Sequence, residues 1–177
     1  KKIGFKIKLH SEQCNTLNSS ELAAELNAVS ADHLDHITKD GIKALAKSSV
    51  IAVLLPGVNF YLMEDNYAPA RELIKNNVPI AVSSDFNAGS CPSFNMQLMI
   101  SLSCLNLKLL PAEAINAVTI NAAFAIDKGK EIGSLQVGKK ADVIILDVDN
   151  HNKIPYYFGV NLVKKVIKNG KIVIVNK

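Results

Sequence analysis

The sequence predicts an α/β fold built on a parallel sheet, and two observations indicate it. Short apolar segments alternate with amphipathic, helix-like segments through the first two thirds of the chain, with loops of a few residues between them. After about residue 127 the pattern changes, and glycines separate segments of β type. Repeated βα units form parallel sheets with right-handed crossovers. Four such units make half of an eight-stranded barrel, or a small open α/β sheet.

Four predicted strands share an alternating or continuous apolar pattern. They cover residues 5–10, 28–33, 50–55 and 79–84. Helical periodicity lies between and after them, over residues 21–27, 38–47, 67–76, 94–107 and 111–126. Thr38 is a typical helix cap, and Pro111 suits the first turn of the last helix. Pro56-Gly57 is predicted to end the third strand.

The last fifty residues predict a small β region instead of a fifth βα unit. Its strands are predicted at residues 141–147, 163–167 and 171–175. Asn169-Gly170 lies between the last two and is a strong signal for a type I′ hairpin turn. We therefore predict two domains, a β/α region over 1–127 and a β region over 128–177.

Bulk composition limits the classes of function. The 177 residues are 49% apolar and 20% charged, with a net charge of +4 from scattered lysines. Scattered lysines do not form the clustered basic face that nucleic acid requires, so we expect no nucleic-acid partner. No apolar run approaches the roughly 20 residues that span a bilayer, so we expect no membrane segment. Three cysteines without paired spacing predict reduced thiols in a cytoplasmic protein.

Polar side chains capable of binding metal stand where predicted strands end. His10 ends the first strand, His33 ends the second, and Asp85 follows the fourth. In a β/α barrel these strand ends form the catalytic face. One such residue alone is more often a cap or a packing residue, but three at equivalent places predict a site.

The loop after Asp85 consists of small residues, over 84–92. The backbone amides of Gly89 and Ser90 could approach an anionic group closely there. The alternative is an ordinary Gly/Pro turn. Cys91 lies in the same loop, but no Cys/His pairing can be read from the sequence, so we do not predict a cysteine nucleophile.

Several of these segments resemble one family. Four motifs are similar to those of the imidazolonepropionases, a family of the amidohydrolase superfamily: LHSEQ at 9–13, SADHL at 30–34, LLPG at 54–57 and SDFNAGS at 84–90. Two more resemble general superfamily signatures: TINAA at 119–123 and GSLQVGKKAD at 133–142. The resemblance covers almost the whole chain in the right order. It implies the C-terminal half of a metal-dependent hydrolase-type TIM (β/α) barrel, plus part of a small β-sandwich.

The resemblance also implies roles for individual residues. His10 and Asp85 would bind one divalent or trivalent metal ion, zinc or iron, and Asp85 would also shuttle a proton. His33 would polarise the substrate carbonyl or hold the oxyanion. Four further positions correspond to substrate contacts: Gln13, Asn87, Gly89 and Ser90.

The implied activity is hydrolysis of the cyclic amide of 4-imidazolone-5-propanoate to N-formimidoyl-L-glutamate in histidine degradation. The substrate is a small molecule, and the resemblance implies a homodimer of the longer protein. Ala88 stands where the family usually has proline, which should loosen the loop slightly. No His-X-His pair is present, although superfamily members carry one at the end of their first strand.

We therefore expect this chain to be inactive alone and prone to associate through exposed strand edges. Two alternatives stay open. The first is another deaminase or cyclic amidase of the same superfamily, and the second is a non-catalytic binding or assembly module.

Overall fold

A computed structural model describes residues 3–176 and confirms the parallel sheet. Its four strands follow one another in the order β1-β2-β3-β4, and all neighbours are parallel. The strands are β1 (Lys8–Ser11), β2 (Ser30–His33), β3 (Ile51–Leu54) and β4 (Ile80–Val82). Each is shorter than its predicted segment, and β1 ends at Ser11, one residue beyond its predicted end. Within residues 3–176 the sheet remains open at both edges.

Helices connect and follow these strands. They are α1 (Ser19–Glu25), α2 (Lys39–Ala46), α3 (Pro56–Leu62), α4 (Ala70–Lys75), α5 (Met96–Leu105), α6 (Pro111–Val118), α7 (Ile120–Ala125) and α8 (Lys153–Tyr156). Thr38 caps α2 as predicted, with its side chain accepting a hydrogen bond from the Gly41 amide at 2.9 Å. Pro111 opens α6, also as predicted.

Strand β3 ends before Pro56-Gly57, as predicted, but helix α3, which begins at Pro56, was not predicted. Proline has no N–H to lose in the first helical turn and its φ already suits a helix, so it starts a helix as well as it ends a strand. Gly57 is needed for close packing there, since a Cβ would lie 2.7 Å from the Met99 sulfur.

The single helix predicted over 111–126 is in fact two. Thr119 breaks it with φ −118° and ψ −94°, and α7 turns toward the sheet. The Asn121 side chain then donates a hydrogen bond of 2.7 Å to the carbonyl oxygen of Ile80 in β4. This contact joins segments about forty residues apart, which local periodicity does not reveal.

The core lies between the parallel sheet and its helices. Every residue of β4 is buried, and so are three of the four residues in β2 and in β3. Continuous burial is typical of parallel strands covered on both faces. The largest fully buried apolar side chains include Leu34, Leu45, Leu54, Leu73, Met99 and Leu102.

The remaining strands form an antiparallel sheet in the order β5-β6-β7: β5 (Val143–Leu146), β6 (Val163–Lys168) and β7 (Lys171–Val175). Asn169 and Gly170 have φ of 48° and 77°, the two positive values that a type I′ turn requires, so the predicted hairpin is confirmed. The Gln97 side chain of α5 links this region to the first, accepting from the Leu162 amide at 2.9 Å. The domain division at residue 127 stays a prediction.

Along the described part of the chain, none of the helices is both long and apolar enough to cross a membrane.

Candidate active site

His10, His33 and Asp85 come together, as the sequence predicted, at the carboxyl ends of the parallel strands. His10 lies in β1, His33 is the last residue of β2, and Asp85 follows the end of β4 by three residues. All three line one cavity of about 960 Å³. Four predicted substrate-contact residues do not line it among residues 3–176: Gln13, Asn87, Gly89 and Ser90.

The two histidines are in direct contact but differ in environment. Their ring centroids lie 4.2 Å apart, with the planes tilted by 47°. His10 is exposed, whereas His33 is only 2% exposed. Burial, and then the neighbouring His10, lower the pKa of His33 to about 4, so His33 is neutral at pH 7.

His33 is also held in an unusual backbone conformation. Its φ is 81° and that of Leu34 is 70°, both in the left-handed region that side chains with a Cβ rarely adopt. Strain of this kind persists only where surrounding structure enforces it, and it is concentrated at functional sites. The amide of Leu34 donates to the carbonyl oxygen of Ser11 at 2.9 Å, which fixes the turn against β1.

Asp85 has a carboxyl group with a perturbed pKa. Partial burial raises this pKa, His10 lowers it and Asp32 raises it further. Its φ of 49° is again left-handed. The carboxyl therefore holds a proton more readily than an ordinary aspartate, which suits a group that accepts a proton and later returns it.

Asn87 organises the loop that follows Asp85. Its side-chain oxygen accepts hydrogen bonds from the amides of Gly89 and Ser90, both at 2.8 Å. Its side-chain nitrogen donates to Ser90 Oγ at 2.8 Å and to the Asp85 carbonyl oxygen at 2.7 Å. The two backbone amides that we predicted as anion contacts are thus turned toward Asn87 in this structure.

Cys91 closes the same loop through a bridge to Asn87. Its side chain is buried, and burial raises the pKa of its thiol. A thiol is a much weaker nucleophile than a thiolate, so the structure agrees with the view that Cys91 is not a nucleophile.

A second group of polar residues, of which Lys8 and Asp32 line the cavity, was not predicted. Lys8 Nζ donates to Ser30 Oγ at 2.7 Å and lies 3.7 Å from Asp32 Oδ1. Ser30 Oγ also donates to Asp32 Oδ1, at 2.6 Å. Because side chains alternate along a strand, Lys8 lies on the same face as His10. This alternation is the sequence signal that could have identified Lys8 as a site residue. The position of Asp32 opposite His10 depends on the register between β1 and β2.

Nitrogen and carboxylate donors such as His10 and Asp85 are suited to zinc or iron. However, nowhere in residues 3–176 do three or more His, Cys, Asp or Glu side chains gather closely enough to hold a metal ion. Catalytic zinc sites ordinarily use three protein ligands. The donors present therefore fit part of a metal site.

Comparison with known proteins defines the class first. The profile of the amidohydrolase family matches residues 4–173. The chain therefore belongs to the amidohydrolase family.

Individual relatives are more specific. The chain is 51% identical over 172 residues to the imidazolonepropionase of Alkaliphilus oremlandii (strain OhILAs), covering 97% of this chain and 41% of the relative. It is 50% identical over 171 residues to that of Bacillus velezensis, again with 97% and 41% covered. The chain thus spans about two fifths of the length of the curated relatives it matches.

Solved structures show the same fold at lower identity. An adenosine deaminase from Xanthomonas campestris with bound zinc superposes with a TM-score of 0.83 at 23% identity, covering 98% of this chain and 46% of that one. Atrazine chlorohydrolase TrzN from Arthrobacter aurescens TC1, complexed with zinc, superposes with a TM-score of 0.81 at 15% identity. The match covers 99% of this chain and 45% of that one. These likenesses establish the fold alone.

Proposed function

We propose that this chain is part of an enzyme that hydrolyses the cyclic amide of 4-imidazolone-5-propanoate to N-formimidoyl-L-glutamate. The observation that carries the proposal is about 50% identity, over nearly the whole chain, to proteins named imidazolonepropionase. The convergence of His10, His33 and Asp85 on one cavity supports it.

In this proposal His10 and Asp85 hold a metal ion, zinc or iron, together with ligands from outside this chain. When bound, the metal would lower the pKa of a coordinated water to about 7. His10 is exposed and lines the cavity, so a further ligand can approach it from there.

Asp85 is proposed to accept a proton from the attacking water and to pass it to the ring nitrogen as the C–N bond breaks. Its raised pKa brings it nearer to the working pH of such a shuttle. His33 contacts the reacting groups as a neutral imidazole, which has one N–H donor and one lone pair.

Gln13, Asn87, Gly89 and Ser90 are proposed to bind the substrate. What supports this is the position of the Asn87 loop directly after Asp85, and hydrogen bonds of 2.8 Å that hold it in one shape. Substrate would have to displace Asn87 from the amides of Gly89 and Ser90 before those amides could bind an anionic group.

The test is a complementation assay. This chain is co-expressed with the part of the Alkaliphilus oremlandii relative that it does not match, and the complex is assayed for metal content and for imidazolone propionate hydrolysis. We expect the complex to hold stoichiometric metal and to be active, and the chain alone to have neither property. Zinc and iron are distinguished by elemental analysis of the same sample.

Matched variants make that test specific. His10→Ala should abolish metal retention, and Asp85→Asn should lower kcat by about 100-fold or more. His151→Ala is the control, since this exposed histidine lies outside the cavity and should change neither. The complex could instead hold metal, fail to hydrolyse imidazolone propionate, and hydrolyse another cyclic amide or deaminate a base. That result would favour the alternative of another cyclic amidase or deaminase.

A non-catalytic binding or assembly module is the second candidate. It is favoured by the lack of a three-donor cluster among residues 3–176. A complementation complex that assembles without metal or activity would support it. A cytoplasmic location and a homodimer of the longer protein stay predictions.

A further inference from the structure

His33 has a buried ring nitrogen that faces a buried carboxyl group. Nδ1 of His33 has no hydrogen-bond partner among the described residues, yet it lies 4.0 Å from Oδ2 of Asp35. The two side chains are 3% and 4% exposed. The proposed reaction does not otherwise use Asp35, which follows His33 by two residues.

Asp35 is held in place from several directions. Burial raises the pKa of its carboxyl group to about 6, and the polar groups of Asn59 and Ala68 oppose this shift. The Asn66 side chain donates to the Asp35 backbone carbonyl. Asn59 in turn donates to the carbonyl oxygen of Asn66 at 2.6 Å. These contacts hold the backbone of Asp35 in place before any substrate arrives.

The chemistry of the facing atoms decides which nitrogen carries the proton. An ionised carboxylate can only accept hydrogen bonds. A lone pair on Nδ1 would be repelled by it, whereas an Nδ1–H would be attracted. In a neutral histidine, the group that faces one ring nitrogen determines in this way which of the two nitrogens carries the proton. A separation of 4.0 Å is long for a hydrogen bond, but such contacts often tighten only when substrate is bound.

We propose that Asp35 is a positioning residue that holds His33 in the tautomer with its proton on Nδ1. Nε2 then carries a lone pair toward the cavity. It can accept a hydrogen bond from the attacking water and orient it, while Asp85 takes the proton. It cannot donate to the substrate oxygen, so this assignment replaces the oxyanion role that the sequence resemblance implied for His33. The catalytic consequence rests on the proposed function, but the tautomer does not.

The competing explanation is purely structural: Asp35 could simply tie the loop after β2 to the segment around Asn66 and Ala68. A structural tie would not determine the proton position on His33. The tautomer is therefore the property to measure.

The experiment is long-range ¹H–¹⁵N correlation NMR on the full chain labelled with ¹⁵N-histidine, at pH 7.5. His33→Gln assigns the His33 signals among those of the four histidines. We expect His33 to be protonated on Nδ1 in the wild-type chain and to change to Nε2–H in Asp35→Leu. Asp65→Leu is the matched control, because Asp65 is exposed in the α3–α4 connection and should leave the tautomer unchanged.

Asp35→Asn keeps the shape of the side chain and covers the case in which Asp35→Leu does not fold. A neutral amide holds the Nδ1 proton less strongly, so a mixture of tautomers is expected. Wild-type His33 protonated on Nε2, or an unchanged tautomer in both Asp35 variants, overturns the proposal.

A kinetic readout follows in the complemented complex. Asp35→Asn should lower kcat by about 10-fold or more with little change in KM. Unchanged kcat in that variant, with His33→Gln inactive, would overturn the positioning role. If the wild-type complex does not hydrolyse imidazolone propionate at all, the proposed function fails, while the NMR result still decides the tautomer.

Discussion

The two sheets of this protein are built from similar residues and are covered very differently. Strands β3 and β7 both consist mainly of aliphatic residues, yet β3 is almost completely buried while all five residues of β7 are exposed. Helices of the same chain pack on the parallel sheet. Within residues 3–176, no element packs over either face of β7 to the same extent. Apolar composition therefore shows that a strand needs covering, but not what covers it.

The largest expected effect tests this difference directly. Leu54→Ala removes a side chain that is 0% exposed, and the resulting cavity should lower the free energy of unfolding by about 2–5 kcal/mol. Ile174→Ala, at a position 48% exposed in β7, should cost less than about 1 kcal/mol. Urea unfolding followed by circular dichroism measures both. A comparable loss in Ile174→Ala would show that β7 is covered in solution, for example by association of chains.

The next largest effect on stability compares a carboxyl group beside the parallel sheet, Asp35, with one beside the antiparallel sheet, Asp147. Burial raises the pKa of Asp35 from 3.8 to about 6, so the fold binds this proton more tightly than the unfolded chain does. The associated stability is fully present below about pH 3.8 and is lost as the pH rises through 6. Asp35→Asn cannot ionise, so it should exceed the wild type in stability by up to about 3 kcal/mol at pH 7.

The advantage of Asp35→Asn should disappear near pH 3.8, and stability measured across pH 3.5–7.5 checks this. Asp147→Asn is the control in the small sheet. Asp147 is 72% exposed and pairs with Lys164, so its loss should change stability by less than about 1 kcal/mol. A pH-independent difference between Asp35→Asn and the wild type would contradict the burial argument.

The smallest expected effect concerns the two loops built on asparagine. Asn87→Ala removes the side-chain hydrogen bonds that hold the site loop and should cost about 1–2 kcal/mol, mostly as local opening. Hydrogen exchange at the Gly89 and Ser90 amides should become faster. Asn169→Gly in the hairpin should leave exchange in the small sheet nearly unchanged, because glycine also tolerates the positive φ. Unchanged exchange in Asn87→Ala would show that the loop is held by other contacts.

Sequence reasoning succeeded where the signal was local. The Asn169-Gly170 turn, the Thr38 cap and the βα alternation each depend on residues close together in the chain. Placing His10, His33 and Asp85 close together also needed only the rule that parallel strand ends meet at one edge. It missed helix α3, which begins at Pro56, and the helix break at Thr119, where distant packing partners contribute.

By itself, then, the sequence determined the parallel sheet, its hairpin appendage and the strand-end residues of the candidate site, because periodicity, turn chemistry and strand order act over short distances. Only the tertiary structure decided that Asp35 is buried beside Nδ1 of His33. It also decided that the Asn87 side chain accepts hydrogen bonds from the backbone amides of the site loop. Those contacts depend on how α3 and the loop around Ala68 pack against the end of β2. Burial and the facing partner of a polar atom are properties of the assembled core, so they set the protonation of His33 and Asp35 in a way that no local pattern encodes.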